Sequence, residues 1–219
     1  MIDVNKINVT AHAGCMNTAM DSIESIEAGI KYGADIIEVD VNIDKDKNLV
    51  LSHDLPQDSR EYIQFYMVLE IMEKHRNVLL NIDVKSTAVL SRLKDMISRY
   101  KLSDSVFLTG LTFNDIAENK EELKGIHYLV NLEDSDIKSI HAERLVDKLK
   151  EMNAEGININ HELVTSEFAA MCKEGKIILS VWTIDNVEYM DRAISLGVNS
   201  ITTRNIDLLR DRIAESRKV

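Results

Sequence analysis

GADIIEVDV at Gly33–Val41 is followed, after a short polar turn, by LVLSHD at Leu49–Asp54. The first segment is an apolar, β-branched run that reads as a buried strand, yet two carboxylates interrupt it at alternate positions. Side chains two apart on a strand point to the same face. Glu38 and Asp40 therefore stand side by side, and buried like charges repel unless a cation or a proton lies between them. The turn Asp44-Lys45-Asp46-Lys47-Asn48 leads into a short extra strand, Leu49–Ser52, which ends in His53-Asp54. The pattern points to a metal site with a histidine beside it.

Around this centre, strand-like runs alternate with helix-like ones. The expected strands are Asn8–His12, Asp35–Val41, Val78–Asp83, Ser105–Thr109, Ile126–Val130, Gly156–Ile159, Ile177–Trp182 and Ser200–Thr202. Between them apolar residues fall at helical spacing, as at Ile23, Ile26 and Ile30, or Leu90, Leu93 and Ile97. Eight such repeats in 219 residues predict a compact α/β fold, a TIM (β/α)8 barrel with parallel strands, occupying residues 1–219 as one domain. A doubly wound open sheet has the same periodicity and stays open as an alternative. One proline and no low-complexity stretch argue against a linker, and 45% apolar content suffices for a sizeable core.

A net charge of −11 disfavours a surface that tracks nucleic-acid phosphates. The two cysteines, Cys15 and Cys172, suggest no disulfide framework. The N-terminus lacks the basic and apolar regions of a secretory signal, and no run approaches the roughly 20 apolar residues of a spanning helix. The expectation is a soluble cytoplasmic protein without stable membrane insertion.

In a barrel of this kind the active site gathers at the C-terminal strand ends. Polar groups recur there: His12 after the first strand, Glu38 and Asp40 late in the second, Asp83 and Lys85 at the third. Asn131 follows the fifth, Asn158 and Asn160 end the sixth, Trp182 ends the seventh, and Thr202 and Thr203 end the eighth. Asp83 in NIDVK joins Glu38 and Asp40 as three oxygen ligands, a set suited to Mg2+ or Ca2+ more than to zinc. Mutually paired rim charges are the structural alternative, but three carboxylates with one lysine leave negative charge to neutralise. Lys85 is placed to meet a phosphate oxygen. His12 and His53 are the candidate proton-transfer pair. His75, His127, His141 and His161 have no such company and read as structural or surface residues, His161 least clearly. Trp182 reads equally as core or as a pocket wall stacking on a substrate's apolar part. Asn131 and Asn158 are candidate substrate contacts. Cys15 reads as a bystander, and Gly110, Gly125 and Gly197 as turn or cap glycines.

HAG at His12–Gly14, GADIIEVDV, LVLSHD, NIDVK at Asn81–Lys85 and SVWTIDN…AISLGVNSITT at Ser180–Thr203 together resemble the glycerophosphodiester phosphodiesterase family, in order and spacing over nearly the whole chain. The resemblance implies a TIM barrel whose members use a divalent metal to cleave a small-molecule glycerophosphodiester to glycerol 3-phosphate and an alcohol. It implies catalytic roles for His12 and His53 and metal-ligand roles for Glu38, Asp40 and Asp83, the last usually Glu in the family. There are three further departures. Ala13 replaces a phosphate-contacting arginine, and charged hydrogen bonds of that kind are worth about 1.5–3 kcal/mol. Met20 replaces the glutamate of a Pro-Glu-Asn-Thr element that aligns with Ala19–Ser22, where Asp21 or Ser22 can still cap a helix. Only about two dozen residues separate Asp54 from Asn81, too few for the family's usual inserted subdomain, so a more open site is expected. Joint loss of arginine and glutamate avoids stranding one charge, provided the two positions are neighbours in space. The competing expectations are a different diester, such as a lysophospholipid, and a barrel that binds phosphate or metal without catalysis.

Overall fold

The computed structural model describes residues 2–57, 60–139 and 142–218. Nine strands run in the order β1 (Asn8–Ala11), β2 (Ile36–Ile43), β3 (Leu49–Leu51), β4 (Leu79–Val84), β5 (Val106–Leu111), β6 (His127–Leu132), β7 (Gly156–Asn160), β8 (Ile178–Trp182) and β9 (Ser200–Thr203). The helices are α1 (Ile23–Lys31), α2 (Phe65–Lys74), α3 (Leu90–Arg99), α4 (Phe113–Glu118), α5 (Lys120–Leu123), α6 (Asp134–Ser139), α7 (Ala142–Glu151), α8 (Ser166–Gly175), α9 (Val187–Leu196) and α10 (Ile206–Ser216). His141 lies outside the described residues. No helix among them is long and apolar enough to cross a membrane.

Closure decides between the two sheet topologies. β1 pairs in parallel with both β2 and β9, so eight parallel strands form a ring and the open doubly wound alternative falls. β3 stands outside the ring as an antiparallel hairpin partner of β2, with Val41 opposite Leu51 and Ile43 opposite Leu49. That hairpin carries β2 two residues beyond the expected end at Val41. Glu38 and Asp40 thus sit within the strand, only 8% and 1% exposed.

Alternation along each strand divides the residues between two environments. Outward-facing Val9, Ile37, Val39, Leu80, Ile82, Leu108, Val130, Ile157, Val181 and Ile201 pack under the helices in one large apolar cluster. Inside the ring, Ile2, Ile36, Phe107, Leu129 and Ile178 form a separate apolar plug, with Leu79 against it. Moving two residues along each strand replaces this plug with Glu38, Asn81, Thr109, Asn131, Asn158 and Ser180. The interior is therefore apolar at the N-terminal end and polar toward the other.

Helix boundaries follow local chemistry. Ser22, not Asp21, caps α1, its Oγ accepting from Ser25 N–H at 3.1 Å. Gly197 ends α9 in the left-handed region, as expected of a cap. Gly110 is not a turn glycine: it lies inside β5 at a register shift between Leu108 and Leu111, with φ +82. A Cβ there would meet Val84 O at 2.5 Å and Asp83 Oδ1 at 3.0 Å. Gly110→Ala is expected to lower the unfolding free energy by about 2 kcal/mol or more, combining left-handed strain with overpacking, as measured by urea denaturation.

Candidate active site

A cavity of about 290 Å³ opens at the C-terminal ends of the parallel strands. Its walls bring together His12, Glu38, Asp40, His53, Asp83, Lys85, Asn131, Asn158 and Trp182, joined by Asn81, Thr109, Thr183 and Thr202. The β2–β4 pairing explains the acidic corner, because its register sets Asp40 directly opposite Asp83 and Glu38 opposite Asn81. One oxygen from each of Glu38, Asp40 and Asp83 lies within 4.8 Å of the others.

Neighbouring groups share the charge unevenly. Lys85 donates to Asp83 Oδ2 at 2.5 Å and stands 2.9 Å from Asp40 Oδ1. Burial pulls the lysine's pKa down, but the two carboxylates outweigh it and hold the ammonium above its ordinary value. Glu38 Oε2 accepts the Ala13 N–H at 3.0 Å, so position 13 contributes its backbone to the site. Burial, reinforced by Asp40 and then Asp83, pushes the Glu38 carboxyl well above the usual range. Neither oxygen of Asp40 accepts a well-formed hydrogen bond among the described residues, although both are buried. Three carboxylates against one ammonium, with Asp40 Oδ2 buried and unpartnered among the described residues, form a donor set that fits a hard divalent cation.

The two histidines differ in setting. His12 Nδ1 lies 2.7 Å from the Ala13 carbonyl, which can only accept, so Nδ1 carries the hydrogen and a neutral ring leaves Nε2 with a free lone pair. Burial, opposed by that bond and assisted by Arg204, holds His12 below its usual value of 6.5. His53 is more exposed, its Nδ1 lying 3.1 Å from Asp54 Oδ1. Its backbone N–H donates to Asp21 Oδ2 at 3.3 Å.

Supporting contacts explain why other polar residues line the walls. Thr109 Oγ1 lies 2.7 Å from Asp83 Oδ1 and 3.0 Å from Asn81 Oδ1, orienting the carboxylate. Asn131 Oδ1 accepts from Gly110 N–H at 2.9 Å and from Asn158 Nδ2 at 3.2 Å. The two asparagines thus brace β5, β6 and β7 while keeping part of each amide free for the cavity. Trp182 is 36% exposed and takes the wall position rather than the core. Strand parity could have revealed Thr109, two residues beyond Phe107 on an inward face; Asp21, in an irregular loop, left no periodic signal.

The remaining candidates fall outside the cavity. His75 follows the end of α2, and His127 bonds Glu155 at the opposite end of the barrel. His161 rests against Tyr189, ring centroids 4.8 Å apart. Cys15 is buried and burial raises its pKa, so it is no ready nucleophile. Met20 packs on Gly14, the residue that follows Ala13.

A model of the glycerophosphoryl diester phosphodiesterase family matches residues 12–64 and 59–208, spanning both histidines and all three acidic residues. The chain belongs to that family. A glycerophosphodiester phosphodiesterase from Caldanaerobacter subterraneus subsp. tengcongensis is 25% identical over 244 aligned positions, covering 93% of this chain and 96% of that protein. Among solved structures, one of a glycerophosphodiester phosphodiesterase from Parabacteroides distasonis matches with a TM-score of 0.79 at 20% identity, covering 98% and 99% of the two chains. An Oleispira antarctica phosphodiesterase, solved in complex with sn-glycerol-3-phosphate, matches with a TM-score of 0.78 at 14% identity, covering 96% and 98%. The fold likeness therefore runs the length of the family barrel.

The raised Glu38 pKa gives a test without substrate. A carboxyl that binds its proton more tightly folded than unfolded stabilises the fold at low pH, and that contribution disappears as pH rises through the folded-state value. In chelator, wild-type stability should fall relative to Glu38→Gln as pH rises from the ordinary glutamate value of about 4.3 through the raised folded-state value, and a divalent cation should flatten the difference; urea denaturation across a pH series checks it.

Proposed function

We propose that this protein is a divalent-cation-dependent phosphodiesterase that cleaves a glycerophosphodiester to glycerol 3-phosphate and an alcohol. The observation that carries the proposal is the meeting, in one cavity, of a cation-deficient carboxylate cluster with two histidines in unlike environments. Glu38, Asp40 and Asp83 would hold the cation, which supplies Lewis-acid polarisation of a phosphoryl oxygen when bound.

The two ring environments divide the proton transfers. His12, held neutral with Nε2 unprotonated, takes the proton from the substrate's own glycerol hydroxyl as that oxygen attacks phosphorus. His53, with Asp54 beside it, gives a proton to the departing alcohol oxygen. The product of this step is a cyclic phosphate. The roles then reverse: His53 takes a proton from water, the water oxygen attacks phosphorus, and His12 returns a proton to the glycerol hydroxyl. Lys85 offsets charge growing on the phosphoryl oxygens. Trp182 packs against the carbon skeleton, and Asn131 and Asn158 offer amide contacts to its hydroxyls. A cytoplasmic setting accompanies this reading, with Cys15 and Cys172 both free thiols.

A lysophospholipid is the second reading. Leu55, two residues past His53, is 80% exposed, and Met20 is 45% exposed, so apolar side chains stand open on segments flanking the acidic corner. The connection from β3 to α2 contains no covering element among its described residues.

Incubation with glycerophosphocholine, glycerophosphoethanolamine and lysophosphatidylcholine, with Mg2+, Ca2+ or chelator, separates the readings by product. Cation-dependent release of glycerol 3-phosphate is the expected result; inactivity on every diester would favour the non-catalytic barrel. His12→Ala and His53→Ala should each lower turnover about 10²- to 10⁴-fold with an unchanged circular dichroism spectrum. Thr109→Val, by releasing Asp83, should weaken cation binding about 10- to 100-fold in calorimetry.

A further inference from the structure

Asp21 has no assigned task in the helix it precedes. Ser22 caps α1, and Asp21 sits one residue earlier with φ +54, in the left-handed region that costs a residue with a Cβ. Three more residues between His12 and α1 share that region: Gly14, Met16 and Asn17. Strain of this kind persists only where surrounding contacts enforce it, and it gathers at functional sites.

The contacts that enforce it lead in both directions. Toward His12, the Cys15 N–H donates to the His12 carbonyl at 2.9 Å, Gly14 N–H donates to Ser25 Oγ at 2.8 Å, and Met20 closes over Gly14. Toward His53, Asp21 Oδ2 accepts that residue's backbone N–H across 32 positions of sequence. The rest of the His53 segment is held from within its own hairpin. Ser52 N–H donates to Asp40 O at 3.1 Å, while Ser52 Oγ and Asn42 Nδ2 both donate to Asp54 O. Among the described residues, the Asp21 bond is the hydrogen bond that ties His53 to the loop carrying His12. The other carboxylate oxygen, Oδ1, is buried without a partner among the described residues, so Asp21 is retained at a desolvation cost that helix capping does not explain.

We propose that Asp21 is a positioning residue that couples the two histidine loops, fixing where the His53 ring stands relative to His12 and the phosphorus between them. It acts as a hydrogen-bond acceptor for the His53 backbone, and its effect on turnover rests on the histidine roles proposed above. Misplacing a reacting group by about 1 Å can cost on the order of 100-fold in rate, so a single tether of this kind has leverage.

The test compares Asp21→Ala with Asp21→Asn in the full chain. Asp21→Ala should lower kcat about 10- to 100-fold with KM changed little, and calorimetric Mg2+ and Ca2+ affinity should stay as in the wild type. Asp21→Asn, whose amide oxygen can still accept the N–H, should recover most of kcat. In a His53→Ala background Asp21→Ala should have no further effect. Histidine-labelled NMR gives a readout independent of turnover: the His53 ring signals should shift or broaden in Asp21→Ala and return in Asp21→Asn, with those of His12 unchanged. Wild-type kcat and unchanged His53 signals in Asp21→Ala would overturn the proposal. So would loss of cation affinity, which would make Asp21 a ligand, or an Asp21→Asn variant as impaired as Asp21→Ala. If the wild type cleaves no diester, the phosphodiesterase reading fails while the NMR comparison still decides the role of Asp21.

Discussion

The pairing of β2 with β4 forces Asp40 and Asp83 to face each other inside the barrel, and the rest of the site is organised around that enforced repulsion. Glu38, on the same face of β2, adds a third carboxylate, and burial amplifies every interaction among them. Lys85 relieves part of the charge by standing between Asp40 and Asp83, but one ammonium leaves the corner in deficit. That deficit is what makes the corner fit a hard divalent cation, the group on which the proposed function rests.

Such a corner needs a rigid frame, and the barrel provides one through a gradient of polarity. The plug of Ile36, Phe107, Leu129 and Ile178 seals the N-terminal end with ordinary apolar packing. Above it, Thr109 and the Asn131–Asn158 pair tie neighbouring strands through side-chain hydrogen bonds. The bulge at Gly110 belongs to the same frame: without a Cβ, its backbone can approach Val84 and Asp83, and its N–H reaches Asn131. Each level supports the one nearer the cavity, so the carboxylates are held where they would otherwise move apart.

Much of the architecture was legible because it rests on period. Alternation located all eight ring strands to within a residue or two, and parity placed Glu38, Asp40, Asp83 and the polar residues of later strands on one inner face. Where the expectations missed, a non-periodic contact was responsible. β2 extends because β3 pairs with its end. Gly110 lies in a bulge and not a turn because β5 changes register there. Asp21 reads from sequence only as a candidate helix cap, because its bond is to a residue far along the chain. The altered positions 13 and 20 were visible as substitutions, but only folding shows Met20 against Gly14 and the Ala13 N–H serving Glu38.

By itself the amino-acid sequence determined the repeating strand–helix units, the side of each strand that carries chemistry, and the inventory of three carboxylates, one lysine and two histidines. Those follow from dihedral geometry and side-chain alternation, which act locally. Ring closure, the opposition of Asp40 to Asp83, the Ala13 N–H reaching Glu38, and the tether from Asp21 to His53 were decided only by the tertiary structure. Each depends on the distance between segments remote in the chain, and Coulomb energies and hydrogen bonds depend on such distances rather than on spacing in sequence.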